Sequence, residues 1–169
     1  AIVDTFGESS LEIIATQPKK LATVKGITLA RAKEIHNDFV RINQMKLLVE
    51  YLTDNGLPTY FAPMLIGRYG ENAFEELKND PYILCFDSYD VSFYEVDEIA
   101  FKYGIKPNDA VRLQAALLYE LYFNSQSGHA FVPEEKLIAA AEQLCSVSEN
   151  DLFPHFNYLV EKEKIIVDN

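Results

Sequence analysis

The chain has 169 residues, with 26 acidic side chains against 15 basic ones, a formal charge of −11 and 49% apolar residues. That balance excludes a general nucleic-acid coat, which needs a net positive face, and the composition describes a globular chain, not a disordered or fibrous one. The two cysteines, Cys85 and Cys145, have no CxxC or clustered His partner and read as reduced core residues, with neither a disulfide framework nor a zinc site.

In chain order, Ile2 to Gly7 reads as the tail of a helical unit. Ser9 to Glu12 has capping-box spacing ahead of Leu11, Ile13 and Ile14, and Pro18 forces a break. A helix is expected from about Leu29 to Val40, another from about Met45 to Asp54 ended by Asn55-Gly56, and a third starting at Pro58-Thr59, with Pro63 tolerated in its first turn. The Gly70 region then repeats what precedes it. Phe6-Gly7-Glu8 returns as Tyr69-Gly70-Glu71, and Leu11, Ile14, Pro18 and Leu21 return as Phe74, Leu77, Pro81 and Leu84, each 63 residues on; one residue more aligns Gly26-Ile27-Thr28 with Asp90-Val91-Ser92. Ordered matches of this kind indicate a tandem unit.

From Ala110 the pattern changes. A helix to about Phe123 ends near Ser127-Gly128, a short strand is expected at His129-Ala130-Phe131-Val132, and Pro133 starts another helix. Ser148 caps a helix to about Lys162, followed by a strand-like Ile165-Ile166-Val167. The expected fold is mainly α: tandem helix-hairpin-helix units over residues 1–108, then a winged-helix-like module with short strands over residues 109–169. The apolar ending and the helical opening lead us to expect a piece of a longer chain, and the lack of a basic leader or a long apolar run a cytoplasmic one without membrane contact.

Chemistry concentrates at one turn. Val24-Lys25-Gly26-Ile27-Thr28 matches the hairpin of a helix-hairpin-helix motif, apolar-x-Gly-apolar-Gly with Thr28 in place of the second glycine. Glycine allows a tight turn, and the N–H groups opening the next helix donate to phosphate oxygens, so such a hairpin reads DNA backbone and not base sequence. Lys25, Gly26, Ile27 and Thr28, with the flanking Arg31 and Lys33, are the candidate DNA-binding residues. Residues 1–50 carry seven bases and six acids, a charge of +1, whereas residues 51–100 carry two bases and ten acids, a charge of −8. The second hairpin, Asp90-Val91-Ser92-Phe93, has lost both glycines, has Glu95 and Asp97 where the first unit has Arg31 and Lys33, and reads as scaffold. No phosphate loop, HExxH or GxSxG is present, and His36, His129 and His155 stand singly, so no catalytic or metal residue is proposed. Tyr119, Tyr122 and Phe123 are candidates for an interface. An independent winged-helix regulator is disfavoured by acids at 149, 151 and 161 in its would-be recognition helix.

With Ala22-Thr23-Val24-Lys25-Gly26-Ile27, Asn79-Asp80-Pro81-Tyr82-Ile83-Leu84, Val96-Asp97-Glu98-Ile99-Ala100 and Gly128-His129-Ala130-Phe131-Val132-Pro133, nearly the whole chain resembles the N-terminal region of RecD-like DNA helicases, often labelled exodeoxyribonuclease V alpha chain. The resemblance implies a non-catalytic module ahead of an ATP-driven superfamily 1 motor, a hydrolase of DNA repair and recombination. It implies DNA, single-stranded or junction backbone, and downstream motor domains as partners. It also implies that ATP and magnesium belong to the motor, with no cofactor in this fragment. Residues 25–28 alone match the hairpin pattern. The alternative is an intramolecular or protein-interaction scaffold that orients the motor with little DNA contact.

Overall fold

A computed structural model describes residues 1–168 as helices and short connections, divided into two compact units, Ala1–Glu76 and Leu77–Asn169. The α-helices are α1 (Ile2–Phe6), α2 (Ser10–Thr16), α3 (Pro18–Leu21), α4 (Leu29–Asp54), α5 (Phe61–Tyr69), α6 (Ala73–Asn79), α7 (Phe93–Lys102), α8 (Ala110–Gln126), α9 (Glu134–Cys145) and α10 (Glu149–Glu161). Single 3-10 turns cover Gly7–Ser9, Gly70–Asn72 and Pro81–Cys85.

In the first unit, α2 and α3 pack on the N-terminal part of α4. Ile13, Leu21 and Ala32 form a buried cluster, with Ile2, Phe6, Ile14, Ala22, Ile27 and Ile35 partly buried around it. A buried Leu contributes about 2 kcal/mol, more than the roughly 1 kcal/mol of a helix cap, so this core and not the cap fixes the path of the turn between α3 and α4. His36 Nδ1 lies 2.7 Å from the Ile14 carbonyl oxygen and ties α4 to α2. Farther along, α5 packs against α4, and the Phe74 N–H donates to Gln44 Oε1 at 2.8 Å.

Two expectations for this unit fail locally. The helices expected at 29–40 and 45–54 are one helix of 26 residues, because Arg41-Ile42-Asn43-Gln44 contains neither Gly nor Pro to stop it. The Ser9 capping box is absent: Gly7–Ser9 forms a 3-10 turn, α2 starts at Ser10, and the Ser10 hydroxyl donates to the Gly7 carbonyl at 2.6 Å. Pro18 does break the chain, as the first residue of α3, and Pro63 sits in the first turn of α5.

In the second unit, α7 packs on the Pro81–Cys85 turn, and α8 packs with α9 and α10. Phe93 is stacked on Tyr82 with ring centroids 5.2 Å apart, and Tyr119 of α8 lies 5.6 Å from Phe93. Tyr122 meets Phe86 edge-on at 5.6 Å and Phe123 is stacked on Tyr119 at 6.4 Å, so all three aromatics expected at an interface make ring contacts within this unit, with Phe123 still largely exposed. The unit is pinned by a buried ion pair that sequence reading does not reveal. Arg112 of α8 donates from Nε to Asp97 Oδ1 and from Nη2 to Asp97 Oδ2, both at 2.8 Å, and from Nη1 to the carbonyls of Pro107 and Cys145. Tyr82 Oη donates to Asp97 Oδ1 at 2.6 Å, which together with burial pushes its own pKa well above the usual phenol range. Four segments thus meet at one guanidinium–carboxylate fork.

The strands expected at His129–Val132 and Ile165–Val167 are absent; no strand occurs among the described residues. Both segments leave a helix through a backbone cap, His129 N–H to Asn124 O and Ile165 N–H to Leu159 O, and neither forms a ladder with the other. Phe131 and Ile166 are accordingly 83% and 88% exposed. Ser148 does cap α10, sharing a capping box with Asp151, and Pro154 is accommodated inside that helix. No helix among the described residues is long and apolar enough to cross a membrane.

Two outcomes test this packing. Arg112→Met leaves the Asp97 carboxylate buried without its partner and lowers unfolding free energy by about 3–5 kcal/mol, measurable by urea denaturation. Glu120 of α8 is partly buried, which raises its pKa. Ionising it therefore opposes folding as pH rises above the carboxylate range. Glu120→Gln is expected to be more stable than the parent at pH 7, with that advantage disappearing once both states of the parent are protonated.

Candidate nucleic-acid interface

The residues singled out in the sequence lie on the turn from α3 to α4 and the first turns of α4. Val24 is buried and Ile27 half-buried over the core, while Lys25, Gly26 and Thr28 face solvent. The Val24 N–H donates to Leu21 O at 3.1 Å and the Ile27 N–H to Val24 O at 3.0 Å, closing two consecutive turns. Gly26 takes φ +91°, a left-handed conformation that explains glycine there. A Cβ at Gly26 would meet no atom within 4 Å, so the requirement is conformational and the space above the turn is open.

Thr28 is the N-cap of α4, and its Oγ1 accepts the Arg31 N–H at 3.2 Å. It thus uses one helix-terminal donor and leaves the N–H groups of Leu29 and Ala30, the first two of a 26-residue helix, without an acceptor among the described residues. These donors, the helix dipole behind them and the exposed Lys25 ammonium form an anion-facing corner. The other two candidates are placed differently. Arg31 Nη1 pairs with Glu34 Oε2 at 2.8 Å, an exposed bridge that offsets part of its charge, whereas Lys33 is exposed one turn along α4. Lys19 and Lys20 of α3, part of the basic count of residues 1–50, lie just ahead of the turn, whereas Glu34 is not among the candidate residues. The i to i+3 spacing of Arg31 and Glu34 on a helix was the available signal.

The second turn shares several backbone features with the first but not its hydrogen bonding, since the Val91 N–H donates to Leu84 O and Asp87 also takes a positive φ, +55°. α2 and α6 have the same length and α3 and the Pro81–Cys85 turn start 63 residues apart, at Pro18 and Pro81. Gln17 and Asp80, preceding those prolines, have φ −133° and −139°. Asp90 stands where Gly26 stands and also takes a positive φ, +50°. Ser92 caps α7 as Thr28 caps α4, but its hydroxyl also donates to Glu95 Oε2 at 2.6 Å, which brings a carboxylate to the helix start. Asp97, in the place of the exposed Lys33, is the buried partner of Arg112. The second turn therefore meets an anion with a carboxylate at the helix start and with no base at the positions of Arg31 and Lys33.

No group of His, Cys, Asp and Glu among the described residues has metal-site geometry. Both thiols are buried, and burial pushes Cys145 up to about 11 and Cys85 higher still. His36 is used within the core and is not part of the corner.

The sequence model of the helix-hairpin-helix domain of ATP-dependent RecD2 DNA helicases matches residues 41–131. The chain is also 26% identical over 136 residues to the ATP-dependent RecD2 DNA helicase of Deinococcus radiodurans, an alignment covering 80% of this chain and 19% of that protein. It spans about a fifth of the length of the curated relative it matches. The matched 41–131 segment contains the acidic second turn, and the anion-facing corner precedes it.

Asp90 holds a left-handed backbone without glycine, at a steric cost that glycine would remove. Asp90→Gly is expected to change stability by less than about 1 kcal/mol, with relief of strain offsetting the greater entropy of the unfolded chain. A thermal melt showing a large loss would mean that the Asp90 side chain, and not the backbone, holds the turn.

Proposed function

Because the chain belongs to the helix-hairpin-helix domain family of ATP-dependent RecD2 DNA helicases, we propose that it is a non-catalytic module of such a helicase that binds DNA backbone weakly and without sequence preference. The observation that carries this reading is the corner at the start of α4: two open N–H groups, a left-handed Gly26 and an exposed Lys25. Donors of this kind suit phosphate oxygens and are indifferent to bases. The equal lengths of α2 and α6, the matching Pro18 and Pro81 starts and the hydroxyl caps of α4 and α7 support tandem helix-hairpin-helix units, the first contacting DNA and the second serving as scaffold. The three helices α8 to α10 fit a winged-helix-like module whose strands are not formed. In the longer protein, ATP and magnesium would be bound by motor domains that act on DNA in the cytoplasm, in repair or recombination, and this fragment would have no ATPase activity of its own.

A second reading is favoured by one observation: the family match covers the acidic turn, not the basic one. On that reading the chain orients a motor and touches DNA little. Fluorescence anisotropy at low salt separates the two. On the first reading, oligonucleotides bind weakly, with affinities in the range of about 1 to 100 micromolar. Lys25→Glu then weakens single-stranded and duplex DNA alike and flattens the logarithmic salt dependence by about 0.7–0.9, with circular dichroism unchanged. Lys25 is the cleaner position to change, since any side chain at Gly26 also strains the turn. Absence of binding at about 100 micromolar, or equal affinity in Lys25→Glu, favours the scaffold.

A further inference from the structure

The first unit contains a feature that phosphate binding at the turn does not use. α4 continues past the corner, and its exposed Lys33, Asn37 and Arg41 recur every four residues, on one helical stripe. From Ala30 to Arg41 the rise is about 17 Å. At Arg41 the stripe enters an open groove between α4 and α5. Its larger lobe, about 500 Å³, is lined by Arg41, Ile42, Met45, Pro63, Ile66 and Gly67. A smaller lobe, about 300 Å³, continues past Asn37 and ends at Glu71. The groove exists because α5 places a proline and a glycine one turn apart on this side; a Cβ at Gly67 would meet no atom within 4 Å. Ile42 is 67% exposed at its rim, an apolar surface that nothing in the unit covers.

We propose that this groove receives an unpaired base of a single DNA strand whose backbone is held at the first turn. The inference rests on the phosphate reading of that turn and adds a substrate class to it. Charge complementarity and continuity with the corner favour this occupant: the backbone N–H groups, Lys33 and Arg41 trace a cationic line, and an apolar slot opens beside its far end. A base has a flat apolar face that such a slot can cover, whereas duplex bases are stacked on one another and unavailable. The carboxylates nearby set the direction. Asp38 Oδ1 lies 3.9 Å from Arg41 Nη2, and both side chains are exposed, so the bridge is weak and Arg41 remains usable. Glu71 closes the smaller lobe to phosphate, which places the base in the larger lobe beside Met45 and Pro63.

The test uses the full chain, a single strand of about ten thymidines, within the size of ordinary single-strand sites, and a duplex of equal length. Arg41→Ala removes the cation, and Gly67→Leu fills the slot from a helical position with free space; both should retain the parent circular dichroism. The expected result is that each variant weakens the single strand about tenfold and leaves the duplex unchanged. Arg41→Ala should also lower the logarithmic salt slope for the single strand by about 0.7. Single-strand affinity unaffected by either variant but reduced by Lys25→Glu overturns the base slot and leaves the phosphate reading standing. Parallel losses on single strand and duplex in Arg41→Ala, without effect of Gly67→Leu, overturn it in favour of a plain cationic contact. Failure of Lys25→Glu to alter any affinity removes the reading on which the slot depends.

Discussion

A helix that begins at a sharp turn presents backbone N–H groups with no partner inside the helix, and something must meet them. In this protein the same constraint arises at the starts of α4 and α7, each capped by a hydroxyl side chain, and is met in two ways. At the first turn Thr28 satisfies the Arg31 N–H and leaves Leu29 and Ala30 to solvent, next to Lys25. At the second, Ser92 and Glu95 bond to each other across the helix start, so the dipole is answered by the protein's own carboxylate. The two helix starts differ in whether a carboxylate of the chain itself stands over the opening turn.

What permits that divergence is the packing beneath. The first turn rests on Leu21, Ile27 and Ala32, a shell of apolar contacts that is indifferent to what the exposed residues carry. In the second unit the position matching Lys33 faces inward, and its carboxylate is fixed by Arg112, which also reaches the carbonyls of Pro107 and Cys145. A residue committed to holding segments together cannot also be offered to a ligand. Removing either member of such a pair is costly because the survivor stays buried and charged, so the inward arrangement is self-maintaining.

The legible parts of the fold were those set by local chemistry. The Pro18 break, the Gly26 turn and the Ser148 cap depend on one residue and its immediate neighbours. The continuity of α4 was misread because apolar spacing weakens across Arg41 to Gln44, although nothing there stops a helix. The strands at 129–132 and 165–167 were misread for a different reason: apolar residues give a segment the propensity to extend, but a strand exists only when another backbone pairs with it. The Asp97–Arg112 fork joins residues 15 apart in sequence, and the Cys145 carbonyl is 33 residues from Arg112, distances at which periodicity carries no information. Of the candidate site, Lys25 to Thr28 form the corner, whereas the Arg31 bridge to Glu34 shows how a base counted as available can already be engaged.

The two buried thiols have a consequence of their own. Cys85 and Cys145 both lie in the second unit, both are shielded from solvent, and burial keeps both in the unreactive protonated form at neutral pH. The carbonyl of Cys145 is one of the oxygens that Arg112 holds. An alkylating reagent can therefore reach these sulfurs only when the unit opens. The rate of their modification is a clock for that opening, built into the native sequence, and it runs without any label being added.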